Sequence, residues 1–227
     1  MIDVDVIEIG TEERVIRPIG PSQSLCRGEF LFGQLPDGGI LACNLVKPED
    51  HGFLSSETGE HGVWHDSANG KDGFTCRSYY IFYAFERYCD VKLKIVVAPY
   101  PLMRKMMLIS QEKGNKKPND DKVGLDYGIR YEKSGDKNQV WDFHVWTLGE
   151  KPLTAEEKRV ITRDYIPLPE IAVHSTAEDV KHLMANTKPY NPSWEPASSP
   201  TQYIVDFLTG DYEAKPKASK RKTVDAE

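Results

Sequence analysis

Apolar and polar positions over the first 150 residues follow the two-residue period of β-strands, interrupted by turn sequences. Apolar runs at 29–35 and 40–46 flank the tetrapeptide PDGG, which predicts a hairpin. A second hairpin is predicted between 124–131 and 139–146, because each arm places its apolar residues on one face. Residues 78–89 are almost continuously apolar and aromatic. They predict a buried strand, with a buried helix as the alternative that periodicity leaves open.

Two further segments carry the strand period. Positions 2–9 alternate until the adjacent pair Val6 and Ile7, which indicates a bulge or a change of buried face. Positions 91–97 alternate apolar residues with lysines. All these segments together give about eight to ten strand candidates with little helix between them, a pattern typical of an antiparallel sheet sandwich. The predicted fold class is therefore mainly β, an antiparallel β-sandwich or jelly roll with two or three short C-terminal helices.

The pattern changes after residue 150, where helices are expected. Thr154 and Glu157 have the spacing of a capping box, so the first helix is predicted near 155–165. It should stop before Pro167, because the residue that precedes a proline disfavours the helical conformation.

A second helix is predicted near 176–185, after the capping-box pair Ser175 and Glu178. One narrow apolar stripe should pack on the sheet: Val180, Leu183 and Met184. Residues 1–186 are thus predicted to form one β-rich globular domain that carries both helices.

Residues 187–210 read as a proline-rich arm that ends in a short helix, TQYIVDFL at 201–208. A helix of two turns is not stable alone in water, so it should dock on its own domain or on a partner. Its apolar contact residues are Tyr203, Ile204, Phe207 and Leu208.

The last segment, 211–227, has no apolar periodicity and is expected to be a disordered basic tail. Its basic residues are Lys215, Lys217, Lys220, Arg221 and Lys222. Such a cluster resembles a nuclear localisation sequence, and it is also a flexible cation able to touch nucleic acid or an acidic partner.

Composition narrows the class of protein. The chain has 227 residues, 28% charged and 39% apolar, which is typical of a globular domain. The net charge of −6 argues against a protein coated in nucleic acid, although a local basic patch can still bind nucleic acid.

No apolar run approaches the ~18–20 residues of a membrane span. The N-terminus has acids where a secretory signal has basic and apolar residues, so an intracellular protein of the cytoplasm or nucleus, not a secreted one, is expected. The four cysteines form no CxxC pair, which favours reduced and mostly buried thiols.

A candidate metal site lies in the glycine-rich segment 46–73, a longer connection than most domains contain. Its ligands would be His61, His65 and Asp66. On a helix, residues four apart can bind one ion, but this segment lacks an apolar helical stripe. On a strand, the two histidines would lie about 13 Å apart and face away from the core. A ligand-contacting loop and a solvated connection therefore remain as alternatives.

A candidate nucleic-acid surface combines basic and aromatic residues between 104 and 146. Its members are Arg104, Lys105, Lys113, Lys116, Lys117, Tyr127 and Tyr131. Single-strand binders use basic grooves with aromatic platforms on sheets. The competing interpretation places the tyrosines in the core and leaves the lysines to keep a loop in solution.

No complete catalytic motif or cofactor signature occurs in the chain, and no cofactor is favoured. We therefore expect a non-enzymatic structural or binding protein that acts through sheet surfaces. An assembly subunit with an exchanging C-terminal arm, of the viral kind or otherwise, fits this expectation, with self-association or another protein as the partner. A metal-dependent enzyme that uses the 46–73 loop and a single-strand nucleic-acid-binding protein that uses 104–146 and the basic tail are the alternatives.

Overall fold

The computed structural model of the chain describes residues 5–19, 26–36, 40–44, 74, 76–114, 122–133, 141–165 and 177–190. The strands in these ranges are β1 (Asp5–Ile7), β2 (Arg14–Pro18), β3 (Cys26–Gln34), β4 (Ile40–Asn44), β5 (Cys76–Glu86), β6 (Lys94–Pro99), β7 (Leu125–Lys133), β8 (Trp141–Glu150) and β9 (Lys188–Pro189). The helices are α1 (Tyr100–Glu112), α2 (Ala155–Asp164) and α3 (Ala177–Asn186). The protein is mainly β, as the sequence predicts.

The strands form one curled, mixed sheet with the order β1-β6-β5-β2-β7-β8. Strand β3 also pairs with β5, beside β2, and carries β4 and β9. Both predicted hairpins are confirmed, since β3 pairs antiparallel with β4 and β7 with β8. The expectation of a purely antiparallel sheet is wrong at one edge, where β1 runs parallel to β6.

Strand β5 is the centre of the sheet and is buried on both faces, which confirms the strand interpretation of its continuous apolar run. Ile81, Tyr83 and Phe85 face one apolar cluster, and Phe82 and Ala84 face the other. Because successive side chains of a strand point to opposite faces, these two clusters lie on opposite sides of the sheet.

Helix α1 covers one of these faces, and the sequence prediction missed it. Leu102, Met103 and Met106 are buried in the cluster that also holds the inward residues of β7. The helix begins directly after Pro99 without a side-chain N-cap, and its polar positions do not form a continuous face. Two of the signals that identify a helix in sequence, a side-chain cap and a one-sided apolar stripe, are therefore absent.

Helices α2 and α3 confirm the two predicted C-terminal helices. The capping box of α2 forms, since the Thr154 hydroxyl accepts from the Glu157 N–H and the Glu157 carboxylate accepts from the Thr154 N–H. Val160 of α2 packs against the face opposite α1. Val180 and Leu183 of α3 are buried beside Leu31, with Met184 partly buried, as their stripe predicts.

The start of the predicted arm belongs to the sheet. Lys188 and Pro189 form β9, which pairs with Gly33 and Gln34 of β3. The Tyr190 ring then packs on Phe32, on the α2 side of the sheet. A free arm can therefore begin only after residue 190; the rest of the arm and the basic tail lie outside the described residues.

Candidate functional site

The main cluster of charged groups lies between the sheet and α2. Arg87, which follows β5, donates to both Asp126 carboxylate oxygens, at 3.0 and 3.1 Å. Its remaining terminal nitrogen donates to the Glu157 carboxylate. The Arg17 Nε lies 3.8 Å from Asp126, and the Lys151 ammonium lies 3.9 Å from it. Arg87 thus joins the sheet to α2 through two carboxylates.

Local structure fixes each carboxylate in this cluster. Asp126 lies at a β-bulge where the register between β7 and β8 shifts. Its backbone carbonyl accepts a hydrogen bond from the Thr147 hydroxyl at 3.2 Å. Glu157 has a double role, since one oxygen completes the capping box and the other receives Arg87. These contacts hold both carboxylates in position for Arg87, which donates two hydrogen bonds to Asp126 and one to Glu157.

Packing closes the centre of this ion cluster from solvent. The side chains of Arg17, Asp126 and Glu157 are at most 4% exposed. A Cβ at Gly124 would come within 1.8 Å of the Arg17 guanidinium, so glycine is what lets this arginine lie flat against the backbone. Arg87 is 15% exposed and Lys151 is 49% exposed at the edge of the cluster. The arrangement therefore links α2 to the sheet, and we regard it as structural.

Sequence reasoning did not select Arg17, Arg87 or Asp126 as a site. The signals were present, because Arg17 interrupts the apolar run VIRPI and Asp126 interrupts the apolar arm GLDYG. A charge inside a buried strand requires a partner. The missing information was which distant residue supplies that partner.

A second ionic cluster lies at the end of the opposite face. Glu86 accepts from Arg14 at 2.8 Å and from Lys94 at 2.7 Å. Burial by itself raises the pKa of the Glu86 carboxyl, but the hydrogen bonds from Lys94 and Arg14 outweigh burial and hold the pKa below its ordinary value. The carboxylate therefore stays charged at neutral pH.

The predicted aromatic platform of the nucleic-acid surface is wrong for its two tyrosines. Tyr127 and Tyr131 are buried under α1, so neither ring is available to stack on a base. The Tyr127 hydroxyl donates to the Met106 carbonyl at 3.4 Å. Burial raises the pKa of both phenols above the ordinary value, which keeps them neutral. The competing interpretation of these residues as core is confirmed.

Three of the basic residues predicted beside them are described. Arg104 and Lys105 lie on α1, and Lys113 follows it. The Lys105 ammonium is held by the Asp142 carboxylate at 2.5 Å and by the Phe143 carbonyl at 2.6 Å. Arg104 and Lys113 are exposed, and Lys116 and Lys117 lie outside the described residues.

The exposed face of the β7–β8 hairpin carries an aromatic and a charged group side by side. Glu132 accepts from Arg130 at 3.0 Å and lies 3.3 Å from the His144 Nδ1. The rings of His144 and Trp146 have their centroids 5.1 Å apart. Trp146 lies across Gly128, where a Cβ would come within 2.1 Å of the indole ring. His144 is thus a strand residue with a partnered ring on a small polar surface.

The outward face of α1 is the most apolar exposed surface in the described chain. Tyr100, Met107 and Leu108 are 54%, 46% and 48% exposed. Arg104 and Gln111 lie among them on the same helical face and are also exposed. A helix that is apolar inward and outward has two contact surfaces, and the sheet uses only one of them.

The remaining predicted site residues lie outside the described part of the chain. They are His61, His65 and Asp66 of the candidate metal site, Tyr203, Ile204, Phe207 and Leu208 of the docking helix, and Lys215, Lys217, Lys220, Arg221 and Lys222 of the tail. Within the described ranges no three metal-binding side chains converge. Cys89 is the one cysteine whose side chain is described, and it is a free, exposed thiol.

None of the three described helices is long and apolar enough to cross a membrane. Glu157 and Asp126 join elements of the fold, whereas the outward face of α1 and the His144 surface are open to contact.

Comparison with known proteins does not assign the chain to a family: no family model, no curated protein and no solved structure matches it.

Proposed function

We propose that this chain is a non-enzymatic structural or binding protein that acts through its surfaces and self-associates through its C-terminal arm. The single observation that carries the proposal is the outward face of α1, where Tyr100, Met107 and Leu108 are about half exposed. Arg104 and Gln111 lie among these apolar residues. Exposed apolar side chains that gather on one face of a helix are typical of a protein contact surface.

The polar chemistry of the described residues supports the same proposal. Among the described residues, the buried carboxylates are Asp126, Glu157 and Glu86, and each is paired with arginine or lysine. Catalysis by a carboxylate requires that it faces a substrate. Here each one faces a cation of its own chain, which is a stabilising role.

The scaffold also fits an assembly protein. A buried central strand with helices on both faces provides a firm domain from which an arm can extend. The predicted β-sandwich or jelly-roll arrangement of the strands is part of the proposal, as is a nuclear address in the basic tail. An assembly subunit of the viral kind and an intracellular binding module both agree with it.

Truncation after Tyr190 tests the proposal. The cut leaves β9 paired with β3, so the domain keeps its sheet. We expect the full chain to show a mass by light scattering of at least twice 25.7 kDa, and the truncated chain to show a single-chain mass. Removal of residues 211–227 alone is the control and should leave the mass of the assembly almost unchanged. A single-chain mass for the full protein, or an undiminished assembly after truncation, contradicts the arm proposal.

A further inference from the structure

We infer that the outward face of α1 is the acceptor for the helix predicted at 201–208 of a second copy of this chain. The inference rests on the proposed function and assigns its contact surface. Four features carry it: the dimensions of the two surfaces, their apolar character, their opposite charge, and the position at which the described chain ends.

The dimensions and the chemistry of the two surfaces match. Tyr100 and Leu108 bound an exposed stripe about 12 Å long, at ~1.5 Å per residue. The segment 201–208, as a helix, has the same length. Its apolar residues fall on one side: Tyr203, Ile204, Phe207 and Leu208. Helix-on-helix packing of this kind brings a short amphipathic helix onto a complementary apolar stripe.

The charges of the two surfaces are opposite. The exposed charged residues of α1 and the residue after it are Arg104, Glu112 and Lys113, which carry a net positive charge. The segment 201–208 contains one charged residue, Asp206. Complementary charge at the rim of an apolar contact favours the correct partner and speeds its encounter.

The course of the chain favours a second copy over the chain's own α1. Tyr190 packs on Phe32, on the α2 side of the sheet, whereas α1 covers the opposite side. Residues 191–200 contain Pro192, Pro196 and Pro200, a composition that favours extended conformations, for which ten residues span about 31 Å. Such a composition disfavours a tight turn around the sheet edge, and a neighbouring subunit offers α1 without that turn.

Exchange between two copies also explains how so small a contact can hold. A two-turn helix buries little area, and one such contact is weak. In a symmetric pair each arm binds the other subunit, so the second contact forms within an existing complex. The effective concentration of the second arm then stabilises the dimer.

Light scattering and sedimentation of full-length variants test the assignment. Met107→Asp/Leu108→Asp places charges on the α1 face, and Phe207→Asp places one on the arm. Leu148→Asp is the matched control, because Leu148 is a similarly exposed leucine, at 40%, on β8. Circular dichroism and the melting temperature verify that each variant is folded. We expect at least a tenfold weaker dimer for the α1 and arm variants and an unchanged dimer for the control.

The outcomes separate the two proposals. If truncation after Tyr190 yields single chains but the folded α1 variant still dimerises like wild type, the arm binds elsewhere and the α1 assignment is wrong. If the full-length protein is itself a single chain, the assembly function and the assignment both fail. Equal weakening by the α1, arm and Leu148 variants also overturns the assignment, because it shows a general effect of surface charge.

Discussion

Helices α1 and α2 cover opposite faces of the same sheet, and different forces hold them there. Helix α1 buries Leu102, Met103 and Met106 in a large apolar cluster. Helix α2 contributes Val160 as its buried apolar residue and adds Glu157, which Arg87 connects to Asp126. One helix is attached mainly by packing, and the other combines packing with a buried ion network.

The outward faces of the two helices differ in the same sense. Helix α2 exposes charged residues such as Glu156, Lys158 and Arg159. Charged residues are usual on the solvent-facing side of a surface helix. Helix α1 exposes Tyr100, Met107 and Leu108. Among the described residues, α2 thus presents charged groups outward, whereas α1 presents the apolar side chains that are proposed above as a contact surface. The predictions below separate the two attachments.

The largest effect should follow from breaking the buried network. Asp126→Asn removes the carboxylate charge beside the buried Arg17 and leaves Arg87 with Glu157 as its charged partner. We expect the free energy of unfolding to fall by about 3–5 kcal/mol, the usual result of removing one partner of a buried ion pair. Urea unfolding measures this loss. Asp142→Asn is the control, since its pair with Lys105 is about one third exposed and should be worth less than about 1 kcal/mol. Similar losses in both variants would show that the network is no stronger than a surface pair.

The next effect tests packing under α1. Leu102 is fully buried, and Leu102→Ala should lower the free energy of unfolding by about 2–5 kcal/mol, because the truncation removes buried methyl groups and leaves a cavity. Val160→Ala under α2 should cost only about 1–2 kcal/mol, because fewer groups are removed. Chemical denaturation of both variants gives the comparison. A larger loss at Val160 than at Leu102 contradicts the assignment of apolar packing mainly to α1.

A smaller effect concerns the N-terminus of α2. Thr154→Ala removes the hydroxyl that accepts from the Glu157 N–H at 3.1 Å, so a loss of about 1 kcal/mol is expected. Thr162→Ala is the matched control, because its exposed hydroxyl donates only to the Lys158 carbonyl within the same helix. The control should change stability by less than about 0.5 kcal/mol. Thermal melts compare the two variants. Equal decreases in melting temperature would show that the N-cap hydroxyl stabilises the protein no more than the exposed hydroxyl of Thr162.

The smallest effect is a pH dependence on the α1 side. The pKa of Glu86 lies near 4.5 in the unfolded chain and lower in the folded protein, where burial is outweighed by Lys94 and Arg14. Its contribution to stability is therefore complete above pH 4.5 and is lost as the pH falls through the lowered pKa. Denaturation between pH 3 and pH 7 should show this loss in the wild type and a shallower loss in Glu86→Gln. Glu12→Gln, at an exposed carboxylate, is the control and should keep the wild-type slope.

Much of the fold follows from local patterns. The PDGG hairpin, the β7–β8 hairpin and the capping box at Thr154 each depend on residues close together in the chain, and all three form as predicted. Helix α1 was missed because its outward apolar residues hide the one-sided pattern of a surface helix. Those same residues make it the candidate contact surface.

The candidate sites, by contrast, depend on which faces are buried and on residues far apart in the chain, and local patterns do not predict them. The aromatic residues Tyr127 and Tyr131 have a strand period that fits both a platform and a core, and periodicity does not say which face is covered. Burial under α1 resolves the choice in favour of the core. Likewise, Asp126 and Arg87 are 39 positions apart, and no local pattern connects them.

The amino-acid pattern is thus sufficient for the β-rich class, for the two hairpins and for α2 and α3, since backbone period, turn chemistry and caps act over a few residues. The parallel pairing of β1 with β6, the position of α1 and the Arg17–Asp126–Arg87–Glu157 network depend on contacts between distant segments. Such contacts are selected by burial and by the pairing of charges that cannot remain alone in a core. The same selection leaves Tyr100, Met107 and Leu108 outside, where a second molecule can reach them.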